Sequence, residues 1–87
     1  MVNIIFRDKV SDFGKWKAIF EEYASARKEA GCQSTQVFRN GEKPNEVVVL
    51  LDWDNIENFK KFGESKEIQE AMQKMDLLEK PSFYFSD

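Results

Sequence analysis

The densest apolar pattern in the chain is Glu46 to Asp54, read EVVVLLDWD, with an unbroken apolar run from Val47 to Leu51. Successive side chains of a strand point to opposite faces, so a strand with one wet face alternates apolar and polar residues. This stretch does not alternate. Val47, Val49, Leu51 and Trp53 fall on one face while Val48 and Leu50 fall on the other, which predicts a central strand covered on both sides. One cover can come from the chain's own helices. The other has to come from a second copy of the protein.

The remaining elements follow from the same periodicities. Val2 to Arg7 reads as a first strand, with Val2, Ile4 and Phe6 on one face and Asn3, Ile5 and Arg7 on the other. Ser11 or Asp12 can cap a helix running from Phe13 to Ala30 and ending at Gly31. At 100° per residue, Phe13, Trp16, Ile19, Phe20, Tyr23, Ala24, Ala26, Arg27 and Ala30 form one stripe, opposite Lys15, Lys17, Glu21, Glu22, Ser25, Lys28 and Glu29. Cys32 to Asn40 has the polar composition of an edge strand, and Asn40-Gly41 turns it back into the central strand as a hairpin. Asp54, with Glu57 three residues on, has capping-box spacing for a short helix carrying Ile56, Phe59 and Phe62, stopped at Gly63. Ser65 caps a second piece with Ile68, Ala71, Met72 and Met75 inward, and Pro81 to Phe85 reads as a last strand.

Strand, helix, strand, strand, helix, strand is the order of a ferredoxin-like α+β domain, a βαββαβ unit with a four-stranded antiparallel sheet and its helices on one face. Right-handed crossovers put the first and third strands, the two most apolar, in the middle. Residues 1–87 are expected to form a single domain. Its open sheet face would carry several of Ile4 or Ile5, Phe6, Val48 or Val49, and Leu50 or Leu51. An apolar face of that kind marks an interface, and two such faces packed together predict a symmetric homodimer.

Composition narrows the chemistry. At 87 residues the chain buries only about 60–65% of its unfolded surface, yet it holds eight Phe, two Trp and two Tyr. That supply suits a tight core, or an aromatic-walled cavity plus an interface. The formal charge of -3, without a basic run, argues against a nucleic-acid surface. The central strand also lacks the basic and stacking residues of an RNA-recognition module. No histidine and one cysteine speak against zinc sites of the common kinds and against an internal disulfide. Lys9-Val10-Ser11-Asp12 contains no glycine for a phosphate-cradling loop. Met1 to Asp8 has the character of a strand and not of a signal peptide, and no apolar segment approaches the roughly 20 residues of a membrane span. A soluble cytoplasmic protein is expected.

With these residues placed, the chain resembles the antibiotic-biosynthesis-monooxygenase-like proteins of the dimeric α+β barrel superfamily. The likeness is carried by Ser11-Asp12-Phe13-Gly14-Lys15-Trp16-Lys17 opening the long helix, Val37-Phe38-Arg39, Pro44-Asn45-Glu46-Val47, and Trp53-Asp54, and it spans nearly the whole chain. It implies a homodimer whose sheets form a barrel, with a ligand cleft between helices and sheet in each subunit. It further implies chemistry without metal or flavin, in which an aromatic substrate is deprotonated and its carbanion meets dioxygen directly. Haem-degrading relatives rely on a histidine, which this chain lacks.

The candidate ligand-binding residues are Trp16, Phe20, Tyr23, Arg27, Phe62 and Met72, and no catalytic residue is singled out. A permanent cation on an aromatic helix stripe needs a use. Arg27 can hold an anionic or enolic oxygen, or it can bond the last helix carbonyls. The Tyr23 hydroxyl can bond an enolate-like oxygen. Trp16, Phe20 and the roof residues Phe59, Phe62, Met72 and Met75 either wall a cleft or fill it. Asp52 is a possible base or a solvated carboxylate, Arg7 and Arg39 can face the cleft or the dimer, and Cys32 is a small buried hydrophobe. Two functions stand: a cofactor-independent monooxygenase-like enzyme acting on a small aromatic or enolisable substrate, and a non-catalytic dimeric small-molecule-binding or accessory domain.

Overall fold

The computed structural model describes residues 2–86; Met1, placed in the first strand region by the sequence, and Asp87 lie outside them. Four strands and four helices follow in the order β1 (Val2–Lys9), α1 (Phe13–Glu22), α2 (Ala24–Ala30), β2 (Cys32–Arg39), β3 (Glu46–Trp53), α3 (Ile56–Glu64), α4 (Lys66–Met75), β4 (Ser82–Ser86). The sheet is antiparallel with strand order β2-β3-β1-β4. The two apolar strands are central, as their composition requires.

The alternation on β3 decides the packing. Val47, Val49, Leu51 and Trp53 are buried against the helices, together with Val2, Ile4, Trp16, Phe20, Cys32 and Met75. Phe6 also lies on this side and is partly buried. Ile5, Val48 and Leu50 turn to the opposite face, where the register brings Phe38 of β2 beside Val48 and Tyr84 of β4 beside Ile5. Phe38 is 53% and Tyr84 65% exposed, so the middle of this rear surface is an apolar patch left uncovered within one chain.

The long first helix of the sequence reading is two helices. Tyr23, at φ -96° and ψ 12°, interrupts it between α1 and α2. Helix ends leave carbonyls without intrahelical partners, and Arg27 Nη1 donates to one of them, Phe20 O, at 2.6 Å. Asp12, and not Ser11, caps α1 by accepting from the Lys15 amide at 3.1 Å. Ala24, placed on the inward stripe, is exposed because it follows the break.

Two further expectations change. Asn55 replaces Asp54 as the cap of α3, accepting from the Asn58 amide at 2.8 Å, while Asp54 accepts from the Asn55 amide and the Asn58 side chain. Gly63 does not stop α3, since its backbone keeps a negative φ and the helix continues to Glu64. Ser65 ends it, donating to Phe62 O at 2.7 Å, and caps α4 by accepting from the Ile68 amide. The hairpin turn forms as expected, with Asn40 Oδ1 accepting from the amides of Glu42 and Lys43. The last strand starts at Ser82, one residue after Pro81.

Gly31 closes α2 at φ 125°, a backbone region that side chains with a Cβ enter at a cost of about 1–2 kcal/mol. A Cβ there would also lie 2.7 Å from Asp54 Cγ. Gly31→Ala is therefore expected to lower the unfolding free energy by at least about 1–2 kcal/mol, read from the urea midpoint with the slope unchanged.

Candidate functional site

The helices do not cover the sheet to its β4 edge. Phe83 and Phe85 point to the helix side of β4 yet are about half exposed, and behind them a cavity of about 300 Å³ opens between helices and sheet. All six residues singled out in the sequence, Trp16, Phe20, Tyr23, Arg27, Phe62 and Met72, line it. The floor comes from Phe6 and Leu51 on the central strands, with Phe83 and Phe85 at the β4 edge.

Aromatic contacts build the walls. Trp16 stacks on Phe20 with centroids 4.9 Å apart. Trp53 meets Phe59 edge-on and Phe62 at a tilt, both at 5.3 Å, and its indole N–H donates to Ala30 O at 3.3 Å, fastening the end of β3 to α2. Phe59 continues to Phe83 and Phe85 in edge contacts. Offset and edge-on arrangements are the favoured ones for such rings.

Arg27 is buried, its guanidinium carbon 3.7 Å from the centroid of the Phe20 ring. Nη1 donates to the Phe20 carbonyl near the end of α1, well before the last carbonyls of the helix expected to run to Ala30. Nε nonetheless has no acceptor among the described residues. Burial draws the pKa of this guanidinium downward, partly offset by the Cys32 thiol nearby. Burial in turn pushes the Cys32 thiol upward, against the opposing influence of Arg27.

The sequence reading missed Asp8. It continues the inward face of β1 after Val2, Ile4 and Phe6, is only 3% exposed, and lines the cavity. The Trp16 indole N–H donates to Asp8 Oδ2 at 2.9 Å, while Oδ1 is buried without a partner among the described residues. Burial raises the carboxyl pKa above its ordinary 3.8, only partly opposed by the Trp16 hydrogen bond.

The three undecided residues lie elsewhere. Arg7 is on the rear face, within ion-pair distance of Glu46 and Glu79. Asp52 shares that face and accepts from the Ser34 hydroxyl at 2.6 Å. Arg39 lies over the Phe13 ring, 4.5 Å from its centroid, and does not line the cavity. Among the described residues, no three of Asp, Glu and Cys gather as a metal-ligand set, and no helix is long and apolar enough to cross a membrane.

Fold and cavity together define a ferredoxin-like α+β protein with an aromatic pocket between helices and sheet. The model of the antibiotic biosynthesis monooxygenase family matches residues 7–74, most of the chain, and the chain belongs to that family. Solved structures agree in fold. A putative antibiotic biosynthesis monooxygenase from Bordetella bronchiseptica superposes with a TM-score of 0.85 at 20% identity, covering 99% of this chain and 94% of that one. A second from Caulobacter crescentus CB15 gives 0.83 at 20% identity, covering 99% and 87%. SnoaB, a cofactor-independent oxygenase from Streptomyces nogalater, gives 0.82 at 15% identity, covering 99% and 90%. No curated protein matches the chain in sequence.

The raised Asp8 pKa has a definite sign in stability. The folded protein holds this proton more tightly than the unfolded chain. Folding is therefore penalised as pH rises from 3.8 through the raised folded value, and the penalty is complete above it. The other titratable groups on the cavity wall are Tyr23, Arg27 from α2 and Lys60 from α3; α4 contributes Ile68, Gln69, Met72 and Met75. Asp8→Asn keeps an acceptor for Trp16 and removes the ionisation. Its thermal midpoint is expected to exceed the parent's at pH 7, with the gain vanishing near pH 3.8; a pH-independent difference would contradict the assignment.

Proposed function

We propose that this protein is a cofactor-independent oxygenase acting on a small, flat aromatic or enolisable molecule held in the cavity. The observation that carries the reading is the cavity itself: about 300 Å³, walled by aromatic and aliphatic side chains, in a member of this family. Ligand pockets typically run from about 300 to 1,000 Å³ with a few placed polar groups, so this one suits two or three fused rings. The oxygenase description of SnoaB supports the same reading.

Trp16, Phe20, Phe62 and Met72 form the walls in this proposal. Arg27 holds a carbonyl or anionic oxygen of the substrate through its spare donor, and the Tyr23 hydroxyl bonds to the same end. Loss of a proton to a base on the wall leaves an enolate whose carbon adds to dioxygen, forming a carbon–oxygen bond. For a methylene beside an aromatic ketone, loss of water then leaves a new carbonyl. One oxygen atom stays in the product, and the other departs with the two methylene hydrogens.

Oxygen uptake with anthrone-type substrates tests the reaction. The expected result is turnover by the parent, with kcat/KM reduced roughly tenfold or more in Arg27→Ala and by a smaller factor in Tyr23→Phe. Binding without turnover, unchanged by either substitution, would assign the chain to the non-catalytic binding domains instead.

We further infer that the protein is a homodimer joined through the rear face of the sheet. Ile5, Phe38, Val48, Leu50 and Tyr84 there form an apolar patch, and a second copy related by a two-fold axis would cover it with the same patch of its own. Sedimentation at micromolar concentration is expected to give a dimer, and Ile5→Lys with Leu50→Lys a folded monomer. A parent chain that sediments as a stable monomer ends this part of the reading.

A further inference from the structure

Packing accounts for only part of Asp8. An apolar residue would complete the inward series Val2, Ile4, Phe6, and β1 continues past Asp8 to Lys9 without needing a polar side chain there. The carboxyl is instead almost fully buried beneath α1, one oxygen fixed by the Trp16 indole and the other unpaired. The Trp16 hydrogen bond accounts for one oxygen but needs neither a charged group nor a second oxygen left unpaired among the described residues, and such a surplus is where function is to be sought.

We propose that Asp8 is the polar anchor of the cavity, its Oδ1 accepting the hydrogen of a phenolic or enolic hydroxyl on a flat, neutral aromatic ligand. The proposal rests on the cavity being the ligand site and adds the chemistry of the ligand. Several features select that class. The aromatic walls admit a planar ring and exclude a strongly hydrated one. A carboxylate-bearing ligand would meet Asp8 with like charge if it approached this end. A cationic donor would meet Arg27 and Lys60 on the same walls. A neutral hydroxyl satisfies the orphaned oxygen without either penalty.

Trp16 is the positioning residue. By donating to Oδ2 at 2.9 Å it anchors one oxygen of the carboxyl and leaves Oδ1 as the oxygen without a partner among the described residues. Oδ1 is out of contact with solvent in the ligand-free chain. Asp8 itself lines the cavity, together with Met72 and Met75, and unbranched thioether side chains re-pack readily, so the approach of a ring to the carboxyl calls for side-chain movement within the cavity wall. Under the oxygenase reading the same contact makes Asp8 the base. The substrate O–H bond breaks, its proton forms a new O–H bond on Oδ1, and the electron pair stays on the substrate oxygen and delocalises into the ring.

Binding of 1-naphthol, 1-methoxynaphthalene and naphthalene, followed by quenching of the two cavity tryptophans, tests the anchor without requiring turnover. The parent is expected to bind 1-naphthol at least about tenfold more tightly than either comparison compound. In Asp8→Asn the carboxamide oxygen accepts from Trp16 and presents its amino group, so the hydroxyl preference should fall to about unity while naphthalene binding is retained. Asp8→Leu should bind naphthalene best of the three. Thermal melting confirms that each variant is folded. Equal affinities in the parent, or a hydroxyl preference that survives in Asp8→Asn, overturn the anchor while leaving the cavity as a ligand site. Failure of all three compounds to bind the folded parent overturns the ligand-site reading and the anchor with it.

Discussion

A four-stranded sheet presents more surface than this chain's helices can cover, and the places where cover runs out determine what the protein can do. On the helix side, α1 packs beside α4 and α2 beside α3, and together they bury the inward residues of β3 and much of β1. They stop short of β4, so Phe83 and Phe85 stay half exposed and a cavity opens behind them. On the rear side there are no helices among the described residues, and Ile5, Phe38 and Tyr84 face outward. The pocket and the bare apolar patch on the rear are thus two results of one shortage, on opposite faces of the same strands.

The two faces are coupled through β1 by its alternation. Phe6 and Asp8 point into the cavity, while Ile5, Arg7 and Lys9 point to the rear. Arg7 and Lys9 both reach Glu79, at 3.8 and 3.7 Å, on the segment that leads from α4 to β4. Leu78 donates its amide to Lys9 O at 2.8 Å, and Leu77 bridges to Val10. A segment that lines the cavity through Leu77 and Pro81 is therefore fastened to the strand that carries Asp8. Its exposed ion pairs contribute on the order of 0–1 kcal/mol each, so the backbone bonds and the burial of Leu77 carry more of that attachment.

Much of this architecture was legible in the sequence because it rests on periodicity. Unbroken apolar character marked β3 as central, and the 3.6-residue stripe brought Trp16, Phe20, Tyr23 and Arg27 to one wall. The interruption at Tyr23 was not legible, since neither proline nor glycine marks it and the Arg27 bond to Phe20 O that accompanies it is tertiary. Asn55 displaced Asp54 as a cap because Asp54 lies against Gly31 and the Asn58 side chain. Asp8 was overlooked because Asp8-Lys9-Val10 resembles a polar link. The usable signal was the period of two running through Val2, Ile4, Phe6, Asp8 and Val10, which puts a carboxylate on an otherwise apolar face. Arg7, Arg39 and Asp52 could not be placed by alternation alone, since the choice of face depends on register with neighbouring strands.

Two buried groups of opposite charge on one cavity would ordinarily be expected to neutralise each other. Here they do not. Among the described residues the two make no ion pair, and burial is the leading cause of the shift in each, upward for Asp8 and downward for Arg27. Each satisfies part of its hydrogen-bonding capacity internally, through Trp16 and the Phe20 carbonyl, and each keeps one atom in reserve. A direct ion pair would consume both groups and leave an apolar pocket with no orientation preference. Held apart along the stacked Trp16 and Phe20 rings, they leave an acceptor at one position and a donor at another. That separation of acceptor and donor is what the proposed function requires, since it would orient a planar ligand carrying a hydroxyl and a second oxygen before any reaction with dioxygen.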